Sequence, residues 1–236
     1  MIDEFETLSA PLAWPSWCLE NHDHSRVATR YDEGGYGPAR ARAAGLMLLA
    51  LRGTAFLYQG QELGLPDAHV PSDAVVDVGG RDPERAPIPW EPPSAAGPGA
   101  GFTTRTPWLP VVDGAEALAW SVQDRDPRST LSLFRRLVWL RRATPALRQG
   151  SQGMLDAAPD VLAWVREADG ERWLTAINMS LHDQATGISS PDGAPGELVL
   201  STDPDRTQGP VDLGELRLGV DEGELIRLDE GGEGTS

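Results

Sequence analysis

The residues with the clearest capacity for chemistry stand together in the segment Asn21–Arg26, which reads Asn-His-Asp-His-Ser-Arg. This polar cluster directly follows the apolar run Trp17–Leu19. In a parallel α/β barrel the ends of buried strands carry the side chains that meet substrate, so the segment predicts a substrate-facing loop. Asn, Asp and Ser are equally typical of turns, in which Arg26 would simply pair with a nearby carboxylate. The segment alone leaves both interpretations open.

Elements that would position this loop lie on either side of Gly53. Pro38 at the start and Gly53 at the end favour a helix over Ala39–Arg52. The next run, Thr54–Tyr58, is apolar, β-rich and bounded by glycines, which predicts a fully buried parallel strand. We expect Cys18 to be a small buried hydrophobe in the strand before the polar loop.

Regular periodicity is absent from residues 61–123, which are rich in Pro and Gly. A loop of this length inside a compact domain is usually functional or disordered. Its Trp90 and Trp108 could stack on a ligand ring or cover a barrel wall. Asp126 as a cap and Pro127 in the first turn predict a further helix, which Pro145 would end.

The sequence pattern of the chain changes from residue 149 onward. Short apolar segments separated by Gly, Pro and Asp predict an antiparallel β-domain over residues 149–230. The Gly-rich tail, residues 231–236, is expected to be disordered. The predicted strands are Val161–Val165, Trp173–Ile177, Glu197–Leu200 and Glu224–Leu228.

Composition narrows the possible partners and location. A formal net charge of −16 argues against nucleic acid and anionic membrane surfaces, which require clustered Lys and Arg. No window approaches the roughly 20 apolar residues of a membrane span, and no signal peptide is recognisable after Met1. The single cysteine excludes an internal disulfide and predicts a cytoplasmic protein.

Three ordered segments, Leu51–Gly64, Gly80–Trp90 and Thr106–Pro110, resemble the α-glucosidase and oligo-1,6-glucosidase branch of the α-amylase family, glycoside hydrolase family 13. The resemblance implies an α/β plus all-β fold. Residues 1–148 would form the C-terminal portion of a (β/α)8 TIM barrel, namely strands seven and eight with their helices and the long loop 61–123. Residues 149–230 would form a small antiparallel β-sandwich.

The resemblance also assigns roles to individual residues. Asp23 matches the catalytic carboxylate that steadies sugar hydroxyls in the transition state, and His22 matches the histidine that hydrogen-bonds the glucose. Arg81 matches the arginine that pairs with a carboxylate to close the site around the nonreducing end. Arg85 is assigned to the neighbouring subsite. Arg26 completes the substrate-binding set, mainly by orienting the loop.

Retaining hydrolysis needs two carboxyl groups roughly 5 to 5.5 Å apart. Asp23 and Glu62 would be a conceivable pair, but the resemblance places the nucleophile and the acid on the fourth and fifth barrel strands, outside this chain. It therefore implies that Glu62 is structural and that Arg81 lacks its partner.

The predicted function is that of part of a retaining α-glucosidase acting on α-gluco-oligosaccharides. The chain would be inactive alone and would work with a complementing N-terminal barrel fragment. The alternative is a noncatalytic carbohydrate-binding or interaction fragment, or a nonfunctional remnant. Transglycosylases and trehalose-acting relatives could share these segments. We predict no cofactor and no metal, because His22, Asp23 and His24 alone do not supply a converging ligand set.

Overall fold

The computed structural model describes residues 13–189 and 195–229, together with Ile2 and Glu4. The predicted disordered tail lies outside these residues. The chain divides into two compact units. The first unit comprises Met1–Trp17, Leu46–Ala55 and Leu137–Ser236, and the second comprises Cys18–Gly45 and Phe56–Arg136.

Among the described residues, the part before residue 150 has two short strands and is otherwise helical, and the part after residue 150 consists mainly of strands. The strands are β1 (Ser16–Cys18), β2 (Thr54–Phe56), β3 (Ser151–Met154), β4 (Val161–Ala168), β5 (Glu171–Asn178), β6 (Gln184–Ala185), β7 (Gly196–Ser201), β8 (Gly209–Val211), β9 (Arg217–Leu218) and β10 (Gly223–Leu228). The helices are α1 (Val27–Arg30), α2 (Gly37–Ala50), α3 (Pro93–Ala96), α4 (Ala115–Leu118), α5 (Trp120–Gln123), α6 (Thr130–Ala143) and α7 (Pro145–Gln149).

The first unit is built on a six-stranded sheet with the order β3-β4-β5-β10-β7-β8. All neighbouring strands in it are antiparallel, as the sequence predicts. Each predicted strand lies within an observed one. The buried core of the sheet is aliphatic and consists of Ala163, Leu174, Ala176, Ile188, Leu198, Leu213, Leu216, Leu218, Ile226 and Leu228.

Helix α2 begins and ends two residues earlier than predicted, so that Pro38 lies in its first turn. Gly45 permits a close approach to α6, since a Cβ atom at this position would lie 2.4 Å from Cζ of Phe134. A contact this short cannot be accommodated without displacing a buried ring.

The prediction of a fully buried strand at residues 54–58 is wrong. Strand β2 ends at Phe56, which is 55% exposed, and Leu57 is 41% exposed. Cys18 in β1 is also exposed rather than buried. The physical reason is that β1 and β2 form a sheet of two strands among the described residues, and such a sheet has no further strands to cover its sides.

The predicted cap of α6 is also wrong. Oδ1 of Asp126 accepts a hydrogen bond of 2.8 Å from the backbone N of Arg128, which forms a turn instead of a helix start. The cap is Ser129, whose hydroxyl oxygen accepts from the backbone N of Ser132 at 3.1 Å. The predicted stop is confirmed, because α6 ends before Pro145.

In the second unit, residues 61–123 are an ordered connection built from short helical pieces. They include α3, α4, α5 and two 3₁₀ turns, Gln61–Leu63 and Pro83–Arg85. A local aliphatic core holds these pieces together and comprises Leu63, Leu65, Ala68, Ala86, Ile88, Val112, Ala115 and Leu131. Within the described ranges, no helix has the length and apolarity required to cross a bilayer.

Candidate functional site

The polar segment after β1 forms a tight turn in the second unit. Asn21 and His24 pair as an isolated β-bridge, and the side-chain Oδ1 of Asn21 accepts from the backbone N of Asp23 at 2.8 Å. The turn therefore presents His22 and Asp23 to solvent, with side chains 66% and 44% exposed. The same four residues thus form the predicted turn and leave the His22 and Asp23 side chains accessible.

Two guanidinium groups converge on Asp23. Its Oδ1 accepts hydrogen bonds from Arg81 at 2.8 Å and from Arg85 at 3.1 Å. Arg85 also donates from Nε to the backbone oxygen of His22 at 2.8 Å. Nε2 of His22 lies 3.4 Å from Oδ2 of Asp23. Four of the five predicted site residues are thus in direct contact.

These cations set the ionisation of Asp23. The hydrogen bond from Arg81 is the largest influence, and with the charges of His22, Arg81 and Arg85 it holds the pKa of the Asp23 carboxyl below its ordinary value. Asp23 is therefore ionised at neutral pH. A permanent carboxylate can stabilise positive charge and accept hydrogen bonds from hydroxyls, but it cannot serve as a proton donor.

Arg81 is paired within this chain, so the prediction that it lacks a partner is wrong. Oδ2 of Asp77 accepts from Nε of Arg81 at 2.7 Å, and Oδ1 accepts from an Nη at 3.0 Å. This bidentate pair lowers the pKa of Asp77 and raises that of Arg81. Asp77 thereby fixes the direction in which Arg81 reaches Asp23.

The loop that carries Asp77 is held by Asp82, which is 1% exposed. Oδ2 of Asp82 accepts from the backbone N atoms of Val76 and Asp77 at 2.7 and 2.9 Å. Gly79 leaves room for the ion pair, since an added Cβ would lie 3.1 Å from both Arg81 Nε and Asp77 Oδ2. The sequence interpretation missed both aspartates, because no local pattern in this loop reports the hydrogen bonds that they make.

Arg26 does not contact the surface of the site. Its side chain is 1% exposed, and it donates to the backbone oxygens of Gln59 and Glu84 at 3.0 and 3.1 Å. The guanidinium also lies 4.8 Å from the ring centre of Tyr58. Burial separates Arg26 from any surface ligand in this conformation, which favours the predicted role in orienting the loop over the alternative of a direct sugar contact.

Two further carboxylates organise the loop without facing the site. Oε2 of Glu20 accepts from the backbone N of Val27 at 2.7 Å, at the start of α1. Burial raises the pKa of Glu20 despite this bond and the nearby Arg26. Oε2 of Glu62 accepts from the backbone N of Gly60 at 2.9 Å, a loop-closing bond. In the part of the chain that the structure describes, no group of three or more His, Cys, Asp or Glu side chains could hold a metal ion.

The Arg81→Gln variant is expected to raise the pKa of Asp23 toward its ordinary value, because the hydrogen bond that lowers it most is removed. The pKa is measured by NMR titration of the side-chain carboxyl carbon. Arg105→Gln is the control, since Arg105 is an exposed arginine of the same unit. An unchanged Asp23 titration in Arg81→Gln would contradict the observed pairing.

Comparison with known proteins gives concordant matches. The family profile described as "Alpha amylase, catalytic domain" matches residues 2–150. A probable alpha-glucosidase of Rhizobium meliloti (strain 1021) is 34% identical over 182 residues, covering 73% of this chain and 32% of that protein. Probable oligo-1,6-glucosidase 2 of Bacillus subtilis (strain 168) is 28% identical over 193 residues, covering 70% of this chain and 33% of that protein.

A solved structure gives the same result at the level of the fold. The crystal structure of an alpha-glucosyl transfer enzyme matches with a TM-score of 0.80 at 33% identity, covering 97% of this chain and 42% of that chain. This chain therefore spans about a third of the length of the two curated relatives and less than half of the solved one.

Proposed function

Because this chain belongs to the α-amylase family of catalytic domains, we propose that its surface cluster of His22, Asp23, Arg81 and Arg85 binds the glucose residue cleaved by a retaining α-glucosidase. The observation that carries the proposal is the exposed Asp23 carboxylate, held ionised by two guanidinium groups. The activity would belong to the whole protein, because the matched part of this chain covers only 32% and 33% of the two relatives named as glucosidases.

The geometry suits stabilisation of an oxocarbenium-like transition state. Oδ1 of Asp23 is bonded to both arginines, while Oδ2 points to His22, and the side chain remains 44% exposed. Oδ2 can therefore accept hydrogen bonds from sugar hydroxyls, and such bonds to a charged acceptor are the stronger kind. The His22 imidazole can donate to a hydroxyl that gains negative charge during the reaction.

In this proposal the nucleophile and the general acid are not residues of this chain. A general acid must hold a proton near neutral pH, whereas the pKa values of Asp23 and Asp77 are both lowered by Arg81. Asp77 is additionally occupied by Arg81 at both oxygens. The two remaining catalytic carboxyl groups would come from a complementing N-terminal barrel segment, and the chain alone would be inactive.

The proposal also assigns the two parts of the chain to domains of the whole enzyme. Strands β1 and β2, with the helices that follow them, would be the seventh and eighth units of a (β/α)8 barrel spanning residues 1–148. Residues 149–230 would form a β-sandwich domain. The substrates would be short α-gluco-oligosaccharides, with no nucleic-acid or membrane partner because of the net charge of −16. The single cysteine supports a cytoplasmic location.

A second candidate function is noncatalytic sugar binding. It is favoured by the same ion-paired cluster, since a sugar-binding surface needs hydrogen-bonding groups but does not need a catalytic general acid. A glucosyl-transferring activity is a variant of the first candidate, supported by the likeness to the alpha-glucosyl transfer enzyme. In either case Asp23 would contact the sugar.

The Asp23→Asn variant is expected to bind methyl α-D-glucoside at least about tenfold more weakly than the unmodified chain, because a charged acceptor is lost. Binding is measured by ligand-observed NMR. Asp113→Asn removes the same charge from an exposed position of the same unit and should leave affinity unchanged. Equal affinity of the Asp23→Asn variant and the unmodified chain would overturn the proposed site.

A further inference from the structure

The charges of the chain are unevenly distributed along its sequence. Residues 127–155 contain six arginines and neither Asp nor Glu, although the whole chain has 36 acidic residues and a net charge of −16. These residues include helices α6 and α7 and strand β3. The part of this segment that belongs to the first unit begins at Leu137 and contains Arg141, Arg142 and Arg148. The first unit therefore has a cationic segment within a strongly acidic protein.

The three arginines of this segment have different environments. Arg141 has a structural role, because its guanidinium donates to backbone oxygens at distances of 2.6 to 2.8 Å. These oxygens belong to Leu49, Leu51 and Gly53. Arg142 and Arg148 are exposed, and within the described ranges neither forms an ion pair with a carboxylate. Arg148 donates to the backbone oxygen of Arg142 at 3.5 Å. Two cations are therefore available at the surface.

Trp139 lies on the outer face of α6. Leu137 and Thr144 are buried and mark the inner side of this part of the helix. Because an α-helix turns by about 100° per residue, Trp139 is roughly 160° away from Leu137 around the helix axis. The Trp139 side chain is accordingly 64% exposed, and the neighbouring Val138 is 41% exposed. Any element that packs on the inner side of α6 would leave this ring in solvent.

Arg142 and Trp139 form a cation–π pair on this outer face. The guanidinium carbon of Arg142 lies 5.5 Å from the ring centre of Trp139. A stacked guanidinium keeps its N–H edge available, and that edge matches the two oxygens of a carboxylate. Trp and Arg are also enriched among the residues that dominate binding energy at protein interfaces. We call the exposed group of Val138, Trp139, Arg142 and Arg148 the arginine–tryptophan face.

We infer that the arginine–tryptophan face docks a short acidic segment of another protein, in which carboxylates flank an apolar side chain. The carboxylates would pair with Arg142 and Arg148, and the apolar side chain would pack on Trp139. A short segment fits better than a long polyanion, because charges are screened beyond about 8 Å and a longer polymer would extend over acidic surface. A symmetric dimer is disfavoured, since it would bring two copies of the same cationic face together.

The test is a fluorescence-anisotropy titration of the chain with two fluorescein-labelled peptides at low ionic strength. The acidic peptide is Glu-Asp-Glu-Leu-Phe-Glu-Asp-Glu, and its uncharged counterpart is Gln-Asn-Gln-Leu-Phe-Gln-Asn-Gln. We expect the acidic peptide to bind at least roughly tenfold more tightly than the uncharged one. Trp139→Ala should weaken binding of the acidic peptide by roughly tenfold or more. The double variant Arg142→Gln/Arg148→Gln should abolish the difference between the two peptides.

Two control variants remove the same side chains from other exposed positions. Trp108→Ala removes a tryptophan of the second unit that is 66% exposed. Arg227→Gln removes an arginine of the first unit that is 52% exposed and already paired with Glu197. Neither variant should change the affinity for the acidic peptide. Because Trp139 is exposed, the thermal unfolding midpoint of Trp139→Ala should equal that of the unmodified chain; if this variant is unfolded, the double arginine variant decides the test.

The inference is overturned if the two peptides bind equally, if neither binds, or if a folded Trp139→Ala variant binds the acidic peptide as tightly as the unmodified chain. Heparin that binds more tightly than the acidic peptide, and less tightly to Trp139→Ala, would identify a polyanion site instead. Self-association that light scattering detects in the unmodified chain but not in Trp139→Ala would identify a second copy as the partner. Either result also overturns the inference.

Discussion

Replacing Arg26 with Ala is expected to lower the free energy of unfolding by about 3–5 kcal/mol, the range found when one partner of a buried ion pair is removed. The guanidinium is 1% exposed and lies 3.5 Å from Oε1 of Glu20, whose side chain is 2% exposed. Its loss would leave the carbonyls of Gln59 and Glu84 without these donors. The Glu20 carboxylate would then be buried without its nearest cation.

The free energy of unfolding is measured by denaturant unfolding. Hydrogen exchange is expected to show the loss of protection in residues 18–45 and 56–136. Arg30→Ala is the control, because Arg30 is an exposed arginine on α1 that donates to the backbone of Leu19. Its cost should stay below about 1 kcal/mol. The double variant Glu20→Gln/Arg26→Met should be more stable than Arg26→Met alone, because Glu20→Gln removes the buried carboxylate charge that Arg26 no longer balances. An Arg26→Ala variant as stable as Arg30→Ala would refute the positioning role.

The second large effect is expected at Glu224, in the sheet of the first unit. Glu224 is 0% exposed and pairs in register with Ala176 of β5 and Ser201 of β7. Nε of Arg206 lies 2.6 Å from its Oε1. Burial, opposed by Arg206 and reinforced by Glu222, raises the pKa of Glu224 from 4.5 to about 7.

A carboxyl group whose pKa is raised on folding binds its proton more tightly in the folded state. The stability it confers is therefore present at low pH and is lost as the pH rises from about 4.5 to about 7. The loss is on the order of 3 kcal/mol. In Glu224→Gln this decline should disappear, so the variant should gain stability relative to the unmodified chain above pH 7.

Urea unfolding at several pH values checks this expectation. Glu197→Gln serves as the matched control, since Glu197 lies in β7 and its side chain is 46% exposed in an ion pair with Arg227. It removes the same charge from the same sheet, so any general effect of the net charge of −16 is common to both variants. Parallel pH profiles for the two variants would contradict the role assigned to burial of Glu224.

The candidate site shows what motif resemblance can and cannot supply. His22, Asp23, Arg81 and Arg85 were predicted together, and they are in contact in the structure. Asp77 was missed because its meaning depends on the loop conformation that Asp82 imposes through two backbone hydrogen bonds. Residue types alone also could not distinguish the fully buried Arg26 from the half-buried Arg85, since both follow a polar turn or loop.

The fold shows a similar division between local and nonlocal information. Short apolar segments separated by Gly, Pro and Asp correctly predicted strands such as β4 and β10, because these signals are local in the sequence. The apolar run at β2 correctly indicated a strand but not its exposure, since burial depends on neighbours that a local pattern does not report. The start of α6 was misplaced because Asp126 and Ser129 are both suitable caps, and only the hydrogen bonds distinguish them.

The central claim is that this chain supplies the glucose-contacting carboxylate Asp23 but neither the nucleophile nor the general acid. The most direct test is hydrolysis of p-nitrophenyl α-D-glucoside by the purified chain and by its Asp23→Asn variant. The account predicts release of p-nitrophenol at the background rate from both proteins. Turnover well above background that is abolished by Asp23→Asn would contradict it, because the chain would then contain a complete catalytic set.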